Sequence, residues 1–209
     1  MAAAPTSKRA IMTLYAAPAS PFGHCIRMVM SEKGIVADFQ TVKHNEPPGE
    51  FMELNPYGAV PLLVDRDLVL YNTQIICEYL DERFPHPPLM PVDPVARATA
   101  RLSILRVHRD WYPLLEELET GDAKHAAKAR KDLRDSLMAS LPVFGAKPYF
   151  LSEEFTLVDC AVAPVLWRLN YYEVDLPKQA KPIADYAARV FARPAFKGAL
   201  NETEMEMRL

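Results

Sequence analysis

Along the first 84 residues, short apolar runs alternate with stretches of helical period. Residues 11–16 read as a strand, after which Ser20-Pro21 opens a helix that runs to Lys33 and stops at Gly34. Ser20 suits the N-cap, Pro21 the first helical position where a missing N–H costs nothing, and Gly34 a left-handed stop. Ile26, Val29 and Met30 form the stripe expected to be buried. Residues 35–42 read as a second strand, 47–54 as a loop with a short helical turn, 60–64 as a third strand, and 68–71 as the return of a hairpin through Asp65-Arg66-Asp67. A helix follows from a Thr73 cap through Phe84, with Ile75, Ile76, Tyr79 and Leu80 placed inward and Glu78, Asp81, Glu82 and Arg83 mostly outward.

The order βαβ, then ββα, is the plan of a thioredoxin-like domain. From residue 95 onward no β-type alternation persists. Helical patterns cover roughly 95–119, 123–141, 156–170 and 182–192, with a short one near 194–200. Thr156 and Asp159 form a capping box, which makes Asp159 a cap rather than a catalytic acid, and the apolar run after it predicts a central buried helix. Between the two regimes lies Pro85-His86-Pro87-Pro88-Leu89-Met90-Pro91-Val92-Asp93-Pro94. Its five prolines in ten residues forbid a helix and predict an extended linker. The expected organisation is therefore an α/β thioredoxin-like domain over 9–87 and an all-α domain over 92–209.

Composition narrows the function classes. With 209 residues, 50% hydrophobic and 24% charged, and a formal charge of −3, the chain has an ordinary globular surface, and no direct nucleic-acid binding is expected. No apolar run approaches a membrane span of about 20 residues, and Met1 to Ala10 lacks a signal-peptide core, so no membrane role and a cytoplasmic location are expected. Cys25, Cys77 and Cys160 are odd in number and far apart, which predicts reduced, buried thiols. The five histidines, His24, His44, His86, His108 and His125, have no metal-ligand spacing; no metal site is expected, and most should lie at the surface.

In a thioredoxin plan the turn before the first helix is where a nucleophile belongs, because helix N–H groups stabilise an anion there. Here it reads Ser20-Pro21-Phe22-Gly23, with no redox thiol. Ser20 is either the cap alone or also a hydrogen-bond donor to a bound thiolate. Val60-Pro61 stands where this plan holds a cis proline, either purely structural or offering Val60 backbone groups to an extended peptide. Arg97, Arg101, Arg106 and Arg109 make one helix positive, and Glu78, Asp81 and Glu82 make another acidic. These sets either meet across a dimer interface or are two solvated faces.

Several runs carry a resemblance. Ser20-Pro21-Phe22, Asn55-Pro56, Gly58-Ala59-Val60-Pro61 and Phe155-Thr156-Leu157-Val158-Asp159 resemble the glutathione transferase superfamily. The longer runs 78–91, 94–97, 109–112, 142–145, 147–152 and 206–209 resemble, within it, a bacterial subgroup associated with RNA polymerase, with coverage from about residue 8 to the end. The resemblance implies a glutathione S-transferase fold. It also implies a homodimer that joins RNA polymerase holoenzyme carrying its housekeeping sigma factor and alters transcription during starvation and acid stress. It further implies a contact centred on Pro85, His86 and Pro87, with Tyr79, Leu89 and Met90 beside them. A proline-stiffened segment loses little entropy on binding, although a rigid spacer would look the same.

The transferase alternative would use Ser20 as its thiol-activating residue, the only candidate catalytic group. Its glutathione site would take in Ser20, Phe22, Lys43, His44, Val60, Pro61, Asn72 and Thr73. Thr73 keeps a hydroxyl at a helix start for a carboxylate, but Asn72 stands where a transferase carries an acid, so glutathione affinity should suffer. The reading leans away from catalysis and requires no cofactor, with glutathione as the candidate ligand.

Overall fold

The structure is a computed structural model that describes residues 12–42, 51, 54, 55 and 57–208. Lys43, His44, Pro56 and most of the predicted 47–54 turn lie outside the described residues. Four strands, β1 (Met12–Ala16), β2 (Ala37–Thr41), β3 (Leu62–Asp65) and β4 (Leu68–Tyr71), form one sheet in the order β2-β1-β3-β4. β1 and β2 run parallel, with Leu14 opposite Phe39, while β3 is antiparallel to both its neighbours. Helix α1 (Pro21–Glu32) makes the crossover and α2 (Thr73–Arg83) follows the hairpin. This is a thioredoxin-like domain.

The predicted ends of α1 are present. Ser20 accepts a hydrogen bond from the Gly23 N–H at 3.3 Å, Pro21 opens the helix, and Gly34 has φ +62°. Gly23 allows α1 its close approach to the sheet, because a Cβ there would fall 2.7 Å from the Ala16 Cβ. Burial is wider than a stripe. Every residue from Gly23 to Met30 is buried, since α1 packs between the sheet side and the helices of the second domain.

The remaining helices are α3 (Pro94–Asp110), α4 (Tyr112–Thr120), α5 (Ala123–Ala139), α6 (Leu141–Ala146), α7 (Leu157–Arg168), α8 (Lys181–Phe191), α9 (Pro194–Ala199) and α10 (Glu202–Glu206). The helix expected over 95–119 is broken at Trp111, because Pro113 has no N–H for the Arg109 carbonyl and its ring crowds that carbonyl. Pro142 ends the next predicted helix in the same way. In α7 the capping box forms as expected. The Asp159 carboxylate is buried and accepts from the Thr156 N–H, the Phe150 N–H and the Tyr186 hydroxyl. Leu157 to Leu166 are all buried, the central helix foreseen from composition. One continuous apolar core runs from Met12 to Ala199 through both domains.

Helix α2 corrects three expectations. Asn72, not Thr73, is its N-cap, at φ +76°, with its side-chain oxygen accepting from the N–H groups of Gln74 and Ile75. Ile75 points outward at 54% exposure, and Asp81 points inward. The helix is rotated from its apolar pattern because the buried cation of Lys33 draws Asp81 inside.

Candidate functional site

The linker surface is built from beneath. The Lys33 side chain is fully enclosed, and its ammonium donates to Asp81 Oδ1, to the Phe84 carbonyl at 2.7 Å and to the Pro87 carbonyl. Asp81 Oδ1 also accepts from the Leu89 N–H at 2.8 Å. Further along, the Leu89 carbonyl accepts from the Leu157 N–H, and the Pro91 carbonyl from Arg97 Nε. Carbonyls that an extended proline-rich segment would otherwise leave to water are thus held by the protein. Pro85, His86, Pro87 and Pro88 are exposed, and the His86-Pro87 bond is cis.

Leu89 and Met90, placed at the contact from sequence, lie in the core instead, 3% and 6% exposed. Their apolar side chains anchor the segment and are not available to a partner. Tyr79 is half-buried, and its hydroxyl donates to Asp65 at 2.6 Å; burial and that hydrogen bond push its phenol up. The exposed part of the segment is therefore Pro85, His86, Pro87 and Pro88, while the Tyr79 hydroxyl is turned to Asp65.

The second region is the turn into α1. Ser20 is half-buried and its hydroxyl is engaged as the cap. Phe22 packs edge-on against Tyr112 at 4.6 Å and lies near His108 at 5.7 Å. Val60-Pro61 is cis, with Pro61 buried and Val60 half-buried; Thr73 is buried at the start of α2, and Asn72 is exposed. Asn72 spends its side-chain carbonyl on the cap and carries no charge for an ammonium.

What holds this turn was not anticipated. Arg168 of α7 donates to the Ala19 carbonyl and Asn201 to the Pro18 carbonyl. Arg168 also reaches Glu204 Oε1 at 2.8 Å, and Arg27 reaches Glu204 Oε2. His24 Nδ1 lies 3.1 Å from Arg168 and 3.3 Å from Glu204. Burial, then Arg168 and Arg27, hold the His24 imidazole well below its ordinary value, so it is neutral near pH 7. His24 is buried, against the expectation for most histidines, His108 is half-buried, and His86 and His125 are exposed. Amphipathic α1 and the odd polar residue in apolar α7 were the available signals for this cluster.

The charge match foreseen between helices closes partly within one chain. Arg101 makes paired hydrogen bonds to Glu78, at 3.0 and 2.7 Å to Oε2, and Asp81 belongs to Lys33. No helix among the described residues is long and apolar enough to cross a membrane.

A four-stranded thioredoxin-like sheet, a cis Val60-Pro61 beside the α1 turn and a helical domain opened by a capping box define a glutathione S-transferase-fold protein. Comparison with known proteins agrees. Residues 14–88 match the family "Glutathione S-transferase, N-terminal domain", and 99–194 match "Glutathione S-transferase, C-terminal domain". A delta-class glutathione transferase of Nilaparvata lugens superposes with a TM-score of 0.84 over 94% of this chain and 96% of its own, at 23% identity.

Full-length relatives give the finer assignment. A Stringent starvation protein A homolog of Coxiella burnetii is 48% identical, covering 96% of this chain and 97% of its own. One of Pasteurella multocida is 50% identical over 93% and 92%. The chain belongs to the stringent starvation protein A family.

Proposed function

We propose that this chain is a homodimeric stress-response regulator of the bacterial cytoplasm, which binds RNA polymerase holoenzyme carrying the housekeeping sigma factor. The contact is the exposed segment Pro85, His86 and Pro87. The observation that carries this reading is the Lys33 and Asp81 support under that segment, in a chain of the stringent starvation protein A family. A segment already fixed in one shape gives up little conformational entropy when a partner lands on it, and His86 adds an amphipathic ring at a set position. The fold acts as a scaffold for this contact, and no cofactor is needed. Glutathione is not favoured, because Asn72 is neutral and its side-chain oxygen is already bonded.

The test is capture of purified holoenzyme by the wild-type protein and by His86→Ala at physiological salt. Loss of a central contact residue weakens binding by about tenfold or more. Replacing Pro85, His86 and Pro87 together by Ala abolishes it. A wild-type protein that captures no holoenzyme overturns the reading.

The homodimer has a candidate face. Helix α3 buries only Ala100, Ile104 and Val107, leaving Val95, Leu102 and Leu105 exposed, and Ile75 of α2 is exposed as well. The Glu78 to Arg101 bridge joins the two helices, with Ile75 one turn before Glu78 and Leu105 one turn after Arg101. Apolar side chains around a neutralised ion pair suit a second copy of the same surface. Sedimentation should show a dimer at micromolar concentration for the wild type and a monomer for Ile75→Glu with Leu105→Glu. A wild-type monomer at that concentration would remove the dimer.

A further inference from the structure

Cys25 of α1 and Cys77 of α2 face each other across the packed helices with their Sγ atoms 3.9 Å apart. Both thiols are free and buried, and neither takes part in the linker surface or in the Ser20 turn. Beside them, His108 of α3 has a buried Nε2 with no hydrogen-bond partner among the described residues. The Tyr112 ring meets the His108 ring edge-on at 4.7 Å and closes the same corner. The third thiol, Cys160, is buried in α7 and has no such sulfur neighbour among the described hydrogen bonds.

The pair is electrically unequal. The contact with the Cys77 sulfur lowers the Cys25 thiol to about 6, against the burial that raises it, with His108 and Tyr112 adding to the lowering. That contact and burial push Cys77 well above the ordinary thiol value. Two sulfurs in contact with one proton between them favour an attacking thiolate and a resolving thiol in the same pair.

We propose that Cys25 and Cys77 are an oxidisable dithiol, which a small hydroperoxide converts to an intramolecular disulfide. The Cys25 thiolate attacks the outer peroxide oxygen. The O–O bond breaks, and the alkoxide or hydroxide leaves and takes up a proton, giving a sulfenic acid on Cys25. The Cys77 sulfur then attacks the Cys25 sulfur, the S–S bond forms, and the hydroxyl departs as water with the Cys77 proton. Two thiols lose two electrons in total and the peroxide gains them. The sulfurs need to close by about 2 Å to reach a disulfide bond length, a movement within the range of rotation about the two Cα–Cβ bonds. Enclosure restricts the oxidant to one of the size of hydrogen peroxide, since Cys25 and Cys77 are 2% and 4% exposed.

The test uses the reduced full-length protein, treated with hydrogen peroxide and then denatured in an alkylating reagent. Mass spectrometry should show the loss of two hydrogens, a single alkylated thiol at Cys160, and the Cys25 and Cys77 peptides joined. Dithiothreitol should restore three alkylated thiols. In Cys77→Ser, which leaves no resolving sulfur, dimedone added with the denaturant after peroxide should label Cys25. Three alkylated thiols after peroxide treatment would overturn the proposal, and so would a bond through Cys160 or one between two copies of the chain.

Discussion

Replacing Glu204 by Gln lowers the free energy of unfolding by about 3 kcal/mol, because it leaves two enclosed guanidinium groups without their counter-charge. Glu204 is fully buried and lies between Arg27 of α1 and Arg168 of α7, one carboxylate oxygen to each. The amide has the same shape but only one accepting oxygen. Its NH2 group faces a guanidinium, donor against donor. His24 does not compensate, since it is neutral and its buried Nε2 has no hydrogen-bond partner among the described residues. Urea denaturation followed by tryptophan fluorescence reads the effect, as Trp167 Nε1 donates to the Glu204 carbonyl. Glu202→Gln and Glu206→Gln on the same short helix are the comparison. Both residues are exposed, and their changes should stay within about 0.5 kcal/mol. Equal losses at all three positions would show that the buried cluster does not set the stability.

The reach of this cluster explains why its disruption matters for the site. Arg168 holds the Ala19 carbonyl and Asn201 the Pro18 carbonyl, so the turn that presents Ser20 is fixed by residues near the other end of the chain. Position in a thioredoxin-like domain thus depends on side chains from the helical one.

The same dependence separates what the sequence makes legible from what it does not. Signals that act within a few residues are readable: the Ser20 cap with Pro21, the Gly34 stop, the Thr156 and Asp159 box, and the proline run that ends α2. Each rests on a local rule of sterics or hydrogen bonding. The misplaced residues are those whose partner comes from far along the chain. Asp81 looks like a surface acid until Lys33 is known to be enclosed beside it, and its inward turn carries Ile75 outward. Leu89 and Met90 sit in a proline-rich stretch that reads as exposed, yet the Leu89 backbone is bonded to Asp81 and to α7, which draws this part of the segment into the core. The break at Trp111 follows a local rule as well, since Pro113 cannot continue the helix, but the apolar period runs through it without interruption. The proline segment was legible as a stiff connection, but the ammonium beneath it was not.

Asp81→Ala should cost about 3 kcal/mol of stability and also weaken holoenzyme capture, since it strands the buried Lys33 cation and frees the Leu89 N–H. Loss of charge and loss of linker geometry are separable. In the double variant Lys33→Met with Asp81→Leu, two apolar side chains replace the buried pair, and such exchanges are close to neutral for stability. The double variant should therefore recover the part of the unfolding free energy that Asp81→Ala loses by stranding the cation, but not the part lost with the Leu89 N–H bond. It should not recover binding, because removing Lys33 takes away the donor of the Phe84 and Pro87 carbonyls, and the Leu89 N–H stays without Asp81. Hydrogen exchange at the Leu89 amide reports the geometry directly: protection lost in both variants, retained in the wild type. If the double variant captures holoenzyme as well as wild type while the Leu89 amide exchanges freely, the fixed shape of the linker is not what the polymerase recognises. Contact through His86 would then have to arise after docking. If stability and capture instead recover together, the ion pair acts only through the fold.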